Sequence, residues 1–300
     1  EIPMLSLAKA YTMGDVQAYI TRTVKSGATG FRLQPKLDGM SLSAVYTNGG
    51  LSSLSSRGNG EVGRNLTYLI GNPDVTINGL PMRINPRGIV EVRGELLLRH
   101  SDFTIASKAR ENATGTPFET YRNANAGIVN GARLGLGYHA TLTFVSYRLI
   151  INGVPHDDEP SELDDMGFTS AESSLRESWP TAPSMVINDT RTALEDITRI
   201  IDEYGRVRES FDIPNDGIVI KPLNEDEMND IMGATAHHPS SQLAFKYRGD
   251  RVIATVRSLE WSVGKQGHLT PTLVYDPLEL DGTRNDRATF HNASFVMEYD

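Results

Sequence analysis

The sequence contains no cysteine among its 300 residues. It therefore forms no disulfide and no zinc site built on thiolates. Long apolar runs are also missing, since none approaches the roughly 18 residues that indicate a membrane-spanning helix. The N-terminal stretch EIPMLSLAKA lacks the basic region and the apolar core of a secretory signal. These absences lead us to expect a cytoplasmic protein without a membrane partner.

Positive charge is in the minority, with 29 Lys and Arg against 38 Asp and Glu and a net charge of −9. This balance argues against a basic protein that wraps nucleic acid over its whole surface. The net charge does not exclude a local basic groove on an acidic protein, because nucleic-acid binding responds to local charge. Hydrophobic residues at 39% and charged residues at 22% are typical of a globular protein.

Hairpins alternate with helices along most of the chain. MSLSAVYT, the turn NGG and LSSLSS predict a β-hairpin, and GIVEVRGELLL predicts a strand. We expect a helix capped by Asp15 and a second one opened by Ser101 or Asp102. ATLTFVSYRLII predicts a buried strand, joined by a polar stretch from Gly153 to Asp189 to a helix that carries Ile197 and Tyr204.

The sequence pattern changes near residue 250: after it, alternating strand-like segments and Gly-rich turns replace the helical periodicity. We therefore predict two domains, residues 1–249 and residues 250–300. The first is an α+β domain of antiparallel sheets with flanking helices, and the second is a small β module.

The stretch PKLDG at residues 35–39 places Lys36 and Asp38 on the same face of an extended segment. A lysine amine attacks carbonyl carbon or phosphorus when it is deprotonated and held in a partly desolvated site. A carboxylate beside it can orient the ammonium or help to remove its proton. For so short a motif, a structural ion pair beside a turn is the alternative.

Two further positions suit a phosphorylated ligand. Arg57 lies in the glycine-rich turn SSRGNGEVG, where a guanidinium and backbone amides can hold a phosphate or a ribose. Glu95 shares one strand face with Glu91 and Arg93, and a carboxylate there suits a magnesium shell. An ordinary loop and a solvated strand face are the respective alternatives.

Lys221 and Lys246 lie on two strands that look buried, DGIVIK and QLAFKY. Burying two ammonium groups is costly unless they meet an anion. Asp216 precedes Lys221 by five positions, so a regular strand would point the two side chains to opposite faces. We therefore expect a twist, a bulge or a curled lysine stem if both act on one ligand.

In order and content these segments resemble the adenylation domain of bacterial-type NAD-dependent DNA ligases, within the covalent nucleotidyltransferase superfamily. The resemblance implies a nucleotidyltransferase fold like that of DNA ligases and mRNA capping enzymes, followed by part of an OB-fold. It covers nearly the whole chain. The matching motifs are PMLSL at 3–7, PKLDG at 35–39, SRGNG at 56–60, VRGEL at 92–96, RNANAG at 122–127, DGIVIK at 216–221 and LAFKY at 243–247, with the OB-fold resemblance at 263–293.

The resemblance implies a role for each matching residue. Lys36 would be the nucleophile that becomes linked to AMP, with Asp38 at the ribose and the metal-bound water. Ser6, Leu7 and Gln34 would line the adenine side, Arg57 and Glu95 would contact the sugar, and Lys221 and Lys246 would hold the phosphate. The implied metal ligands are Asp38, Glu95 and Asp216, and the implied contacts to phosphate or DNA are Arg122, Arg133 and Arg208.

The resemblance also implies the partners. NAD would donate AMP, Mg²⁺ would assist, and nicked double-stranded DNA would be sealed in replication and repair. We see no module upstream of PMLSL for the nicotinamide mononucleotide half of NAD, no cysteine zinc finger and no helix-hairpin-helix region. We therefore expect a fragment, or a subunit whose missing modules lie on a second chain.

The chain departs from the family pattern at several positions. Gln34 stands where these ligases usually carry glutamate, which changes the match of donors and acceptors at adenine. The other departures are Asn59 for aspartate, Arg64 and Asn65 for an acidic pair, and Asn130 for the second arginine of the RNAAAGSLR-type motif, with Arg133 as the nearest substitute. They indicate a divergent branch, a viral one among the candidates, and they affect DNA-backbone contacts more than AMP transfer.

Two other functions compete with this one. An ATP-dependent nucleic-acid ligase or a capping guanylyltransferase shares the Lys-x-Asp-Gly pattern, although PMLSL, VRGEL and RATFHN favour the NAD type. A degenerate subunit that only binds nucleic acid is the second alternative. The presence of every lysine and carboxylate that the chemistry needs argues against it.

Overall fold

The computed structural model describes most of the chain, which forms two compact units, Glu1–Tyr247 and Arg248–Asp300. No helix in the described part is both long enough and apolar enough to cross a membrane. The described residues are 3–60, 62–85, 88–156, 159–235, 238–247, 249, 252–263, 269–280, 283–290, 294 and 296.

The first unit is built on two sheets, which we call sheet A and sheet B. Neighbouring strands are antiparallel, apart from the parallel pairs β1–β12, β5–β7 and β7–β9. Sheet A has the order β1 (Ala8–Ala10), β12 (Leu243–Lys246), β11 (Asn215–Pro222), β2 (Phe31–Leu37) and β10 (Val186–Ile187). Sheet B has the order β4 (Gly50–Ser56), β3 (Met40–Thr47), β6 (Ile89–Leu97), β7 (Ala140–Ile151) and β5 (Val75–Asn78), with β8 (Val154–Pro155) and β9 (Thr169–Ser170) paired to β7.

Helices accompany both sheets, so the predicted α+β class is confirmed. They are α1 (Met13–Lys25), α2 (His100–Thr114), α3 (Tyr121–Leu134), α4 (Glu159–Asp165), α5 (Ala171–Ser178), α6 (Ala193–Val207) and α7 (Glu225–Met232). Short 3₁₀ turns lie at Thr67–Leu69 and Arg208–Ser210.

The predicted hairpin is confirmed as β3 and β4. Its two-residue turn has Asn48 and Gly49 in the left-handed region, with φ of 50° and 84°. Asparagine and glycine tolerate this conformation, which matches the right-handed twist of the paired strands. The predicted strands β6, β7, β11 and β12 and the predicted helix α6 are confirmed as well.

Two predicted helix starts need correction. Helix α1 is capped by Thr12, whose hydroxyl accepts from the backbone N–H of Asp15 while the Asp15 carboxylate accepts from Thr12. Asp15 is therefore the third residue of a capping box and not the cap itself. Helix α2 begins at His100, because a distant carboxylate, Asp212, accepts from the backbone N–H of Ser101 at 2.8 Å.

The stretch from Gly153 to Asp189, predicted as a polar connection, contains two helices and three short strands. Helices α4 and α5 span 7 and 8 residues, too short for a convincing helical period in the sequence. They are held by tertiary packing, since Leu163 and Leu175 are both buried.

Each sheet has its own apolar core. Sheet B packs with α2 and α3 around residues that include Tyr46 and Phe144, and sheet A packs with α1 and α6 around residues that include Phe31 and Tyr204. A third, smaller cluster joins strands of both sheets: Leu37 from β2, Leu97 from β6, Val145 from β7, with Ala171 and Ile213. This cluster fixes the two sheets beside the site described below.

The second unit contains one antiparallel sheet of three strands among its described residues, as expected for a small β module. Its order is β13 (Val256–Val263), β14 (Leu269–Leu280) and β15 (Thr283–Thr289). The register shifts once in each pairing, between Val256 and Ser258 and between Val274 and Leu278. Its assignment as part of an OB-fold stays a prediction.

Candidate active site

A cavity of about 580 Å³ lies between sheets A and B. This volume is within the range of small-molecule sites. Sheet A lines it with β2, β11 and β12, sheet B lines it with β3, β6 and β7, and residues 3–7 lie along it. Every residue predicted to bind the nucleotide or the metal lines this cavity: Ser6, Leu7, Gln34, Lys36, Asp38, Arg57, Glu95, Asp216, Lys221 and Lys246.

Asp216 joins two of the predicted lysines. Its carboxylate oxygens lie 2.8 Å from the Lys36 ammonium and 2.6 Å from the Lys246 ammonium. Burial acts to raise the pKa of Asp216, but hydrogen bonds and charge from the two lysines outweigh it and lower the pKa below its ordinary value. Two positive charges thus share one negative charge, and the surplus favours an anion in the cavity.

A β-bulge explains how Asp216 and Lys221 both reach the cavity. Asn215 pairs with Leu37 and Gly217 pairs with Lys36, so Asp216 is an extra residue on β11. One extra residue reverses the alternation of side chains along a strand. A bulge is one of the three solutions that the five-residue spacing predicts.

Gly39 turns the chain from β2 in sheet A into β3 in sheet B. A Cβ atom at this position would lie 2.6 Å from the backbone oxygen of Leu96, too close for any other residue without a backbone shift. The glycine of PKLDG therefore lets Lys36 and Asp38 sit where the two sheets approach each other.

Glu95 faces Lys36 and Arg57 from sheet B. Its oxygen accepts from the Ser41 hydroxyl at 2.6 Å. Burial raises the pKa of Glu95 to about 7, against the lowering effects of Ser41, Lys36 and Arg57 and with a further raising effect from Asp38. This carboxyl group therefore titrates near neutral pH, and an added cation would favour its ionised form.

Residues 3–7 are tied to sheet B by three hydrogen bonds. Arg57 donates to the Ser6 hydroxyl at 3.3 Å, Arg93 donates to the Pro3 carbonyl at 3.2 Å, and the Met4 N–H donates to the Gly60 carbonyl at 2.9 Å. Strand β1 then follows and pairs with β12 of sheet A. The segment therefore passes from one wall of the cavity to the other, which places Ser6 and Leu7 along it.

Lys221 belongs to a separate buried ion cluster. Its ammonium lies 3.1 Å from Glu225, which also pairs with Arg148 at 3.1 Å and accepts from Gln242 at 2.8 Å. Burial acts to raise the pKa of Glu225, but Lys221 and Arg148 outweigh it and lower the pKa. The cluster bridges the sheets, because Arg148 comes from β7 and Lys221 from β11.

The strand ladder places Lys221 away from Lys36. Gly217 pairs with Lys36 and Lys221 pairs with Arg32, four positions further along β11. At about 3.3 Å per residue this corresponds to about 13 Å between backbone positions. Along β2, Lys221 lies closer to the position of Gln34 than to that of Lys36. Its contact to the phosphate, and not to another part of the nucleotide, therefore stays a prediction.

Tyr147 and Arg148 are cavity residues that the sequence reasoning missed. Arg148 pairs with Arg93 and Ser146 pairs with Gly94, so Tyr147 is an extra residue on β7. Tyr147 and Arg148 therefore both line the cavity although they are adjacent in sequence. Burial raises the pKa of Tyr147, which keeps its phenol neutral. The signal in the sequence was the polar run SYR inside an otherwise apolar strand.

Two of the arginines predicted to meet DNA, Arg133 and Arg208, lie outside the cavity lining. Arg133 is exposed at the end of α3. The Arg208 guanidinium stacks 4.9 Å from the centre of the Tyr247 ring and pairs with Glu209 at 3.1 Å. Arg122 lies in α3, and its side chain is outside the described part of the structure. Their contacts with DNA stay predictions.

A direct cage for a metal ion is not formed by the described side chains, since no three His, Asp or Glu residues converge among them. Asp216 uses both oxygens on ammonium groups. Asp38 and Glu95 are two further carboxylates that line the same cavity. This donor set fits Mg²⁺, which keeps several waters and binds through one or two carboxylates plus substrate phosphates.

Two facing sheets with a lysine-lined cavity between them define an α+β domain of the nucleotidyltransferase type. The chain belongs to the NAD-dependent DNA ligase adenylation domain family, whose model matches residues 1–250.

Curated relatives support this membership. The DNA ligase of Leuconostoc mesenteroides is 31% identical over 301 residues, which cover 99% of this chain and 42% of the relative. The DNA ligase of Halothermothrix orenii is 32% identical over 305 residues, covering 100% of this chain and 43% of the relative. The chain thus spans less than half the length of the curated relatives it matches.

Proposed function

We propose that this chain is the nucleotidyl-transferring part of an NAD-dependent DNA ligase. The observation that carries the proposal is the Lys36 ammonium, held 2.8 Å from Asp216 in a cavity that Lys246 and Arg57 also line. Such a group is both a nucleophile and the centre of a cationic site. The proposed partners are nicked double-stranded DNA and the domains or second chain that supply the nicotinamide mononucleotide site.

Lys36 starts the reaction. Its ammonium first gives up a proton, and Asp216 is the carboxylate at hydrogen-bond distance from it. The nitrogen then forms a bond to the phosphorus of the AMP half of NAD, and the bond from that phosphorus to the bridging oxygen breaks. Nicotinamide mononucleotide leaves with the electron pair. Lys246, paired with the same carboxylate as Lys36, would offset the charge on the phosphate oxygens.

The AMP then passes to DNA. An oxygen of the 5′-phosphate at a nick attacks the phosphorus on Lys36, the nitrogen–phosphorus bond breaks, and the lysine regains a proton. The 3′-hydroxyl next attacks the 5′-phosphate, loses its proton and displaces AMP, which closes the strand. Both later steps are in-line phosphoryl transfers that depend on positioning and charge stabilisation.

The cavity has room for each part of the nucleotide. Gln34, Ser6 and Leu7 would line the adenine side, and Tyr147, which also lines the cavity, would offer an aromatic face to the nucleotide. Arg57 and Glu95 would contact the sugar, and Lys246 would contact the phosphate. Lys221, whose ammonium pairs with Glu225, would contact the part of the nucleotide that lies nearest to Gln34. Asp38 and Glu95 would hold Mg²⁺ through its waters, and the bound ion would add positive charge beside the phosphate.

The test uses the full-length protein and labelled NAD. We expect a covalent adduct of one AMP on Lys36, detected by mass spectrometry after digestion, and sealing of a nicked duplex. Lys36→Arg keeps a positive charge but removes the nucleophile, so it should form no adduct, while Lys25→Arg on the surface serves as the control. An active wild-type protein that seals nicks with no adduct on Lys36 would refute the proposal.

The nucleotide donor separates the alternatives. NAD, ATP and GTP are compared at equal concentration with the same protein. Adduct formation from ATP or GTP but not from NAD would instead indicate the ATP-dependent ligase or the capping enzyme. Nick binding without an adduct from any donor would indicate a degenerate binding subunit.

A further inference from the structure

A second pocket of about 340 Å³ adjoins the nucleotide cavity. The two share Asp38, Ser41 and Arg57 as lining residues. The second pocket opens between the loop that follows β4 and helix α3. A group bound there would meet the nucleotide cavity at Asp38, Ser41 and Arg57.

Arg64 presents a guanidinium to this pocket from a fixed backbone. Its N–H donates to the Ser56 hydroxyl at 3.0 Å, and its carbonyl accepts from the Ser56 N–H at 3.0 Å. The guanidinium donates to the Asn130 side-chain oxygen at 3.2 Å. Asn130 is neutral, so it orients the guanidinium and leaves its charge uncompensated.

Asn125 gives the pocket a second polar feature. Its side chain is 6% exposed, and its amide donates to the Leu96 carbonyl at 2.7 Å. Its oxygen is buried and has no hydrogen-bond partner among the described residues. A phosphate brings no donor to this oxygen, so the role of Asn125 in the lining is structural: its amide holds α3 against β6 through the Leu96 carbonyl.

We propose that Arg64, oriented by Asn130, binds a phosphate of the nucleic-acid strand that receives AMP. The proposal rests on the proposed function. Arg57 and Arg64 together line the pocket, and an approaching phosphate offers the anion that guanidinium groups bind best. Arg133, the nearest arginine in sequence, is exposed and lies outside the pocket lining.

A charge relocation tests this assignment in the full-length protein. Arg64→Asn should weaken binding of a nicked duplex by roughly 10- to 100-fold, as expected for one charge-assisted contact. It should also reduce the slope of log affinity against log salt by about 1. The double variant Arg64→Asn with Asn130→Arg returns the charge to the pocket from the helix side, and it should recover most of the affinity and the slope.

Two measurements distinguish a defect in adduct formation from a defect in DNA binding. Adduct formation on Lys36 is measured without DNA, and binding and sealing are then measured with protein that already carries AMP. Lys25→Asn removes one exposed positive charge from α1 and is the control. Arg133→Asn tests the rival substitute outside the pocket, and it should weaken nick binding less than Arg64→Asn. Arg64→Lys keeps the charge but not the planar fork, and it should retain part of the affinity if the fold is intact.

Three results would overturn the inference: unchanged affinity and salt slope in Arg64→Asn, a larger loss in Arg133→Asn, or no recovery in a folded double variant. Thermal unfolding of each variant establishes that it is folded. If wild-type protein forms no adduct with any donor, the proposed function itself fails, which is distinct from a failure of the Arg64 assignment.

Discussion

Glu95 shows how a single carboxyl group in the cavity links pH to stability. Its pKa in the folded chain is raised to about 7, above the ordinary 4.5, because burial disfavours the charged form. The folded state therefore holds the proton more tightly than the unfolded state does. The associated stability is present below pH 4.5 and is lost as pH rises through about 7.

Glu95→Gln should remove this dependence. Between pH 5 and 8 the wild type should lose up to about 3 kcal/mol of stability relative to the variant, from the size of the shift. Urea unfolding across that range measures the difference, and Glu111→Gln on the exposed face of α2 is the control. A difference that is constant with pH would contradict the assignment.

Glu225 should be far more sensitive than an ordinary surface acid. Glu225→Gln removes the buried carboxylate that Lys221 and Arg148 share, while Arg148 keeps its ion pair with Asp226. We expect a loss of about 3 kcal/mol, the lower end of the range for a broken buried pair. Glu203→Gln, whose partner Arg199 is half exposed, should change stability by less than about 0.5 kcal/mol. Denaturant unfolding at pH 7 compares them, and equal effects would refute the distinction.

Among single residues, those in motifs were predictable and those brought in by geometry were not. Lys36 and Asp38 stood out as charges in an apolar run, and Lys221 and Lys246 stood out because burying two ammonium groups is costly. Tyr147, Arg148 and Glu225 were missed because their positions depend on a bulge and on a helix that follows Lys221. No periodic pattern in the sequence records an extra residue in a strand.

For helices and strands, local sequence signals predicted the type of each element better than its boundaries. The Asn-Gly turn and the strong alternation of β3 and β4 predicted the hairpin, and α6 followed from its apolar period. The start of α2 was displaced because Asp212, far away in sequence, satisfies its first turn. Helices α4 and α5 were missed because tertiary burial, and not propensity, stabilises such short segments.

The capping box of α1 provides a test at this scale. Thr12→Ala removes the hydroxyl that accepts from the Asp15 N–H at 3.2 Å. It should lower stability by about 1 kcal/mol. Thr21→Ala, on the exposed side of the same helix, should be neutral or slightly stabilising because alanine has the higher helix propensity. The free energy of unfolding measures both, and a neutral Thr12→Ala would contradict the capping role.

For the whole molecule, the two walls of the nucleotide cavity belong to different sheets of one unit. A nucleotide that contacts both should therefore stabilise that unit as a whole. At 100 times its dissociation constant, AMP should add about 2.7 kcal/mol to the free energy of unfolding. Lys246→Met should reduce the stabilisation at the same AMP concentration, while ribose 5-phosphate, which lacks the base, should give less. Calorimetry of the wild type and the variant decides this.

The arrangement of the two sheets was outside the reach of sequence reasoning. The α+β class followed from the alternation of elements, but the order of strands in sheet A joins β1, β12 and β11 from opposite ends of the unit. Such long-range pairing leaves no local pattern. The family motifs predicted which residues share a site without indicating that sheet B forms half of it.

Asp216 pairs with both Lys36 and Lys246, so the proposed covalent step on Lys36 changes the charge of the cavity. Once the nitrogen of Lys36 is bonded to phosphorus it no longer carries a full positive charge, so Asp216 is left with one counter-ion in place of two. The loaded domain is then less attractive to a further free nucleotide than the empty one. Bound AMP would thereby lower the affinity of the cavity for a second nucleotide donor until the AMP has been transferred.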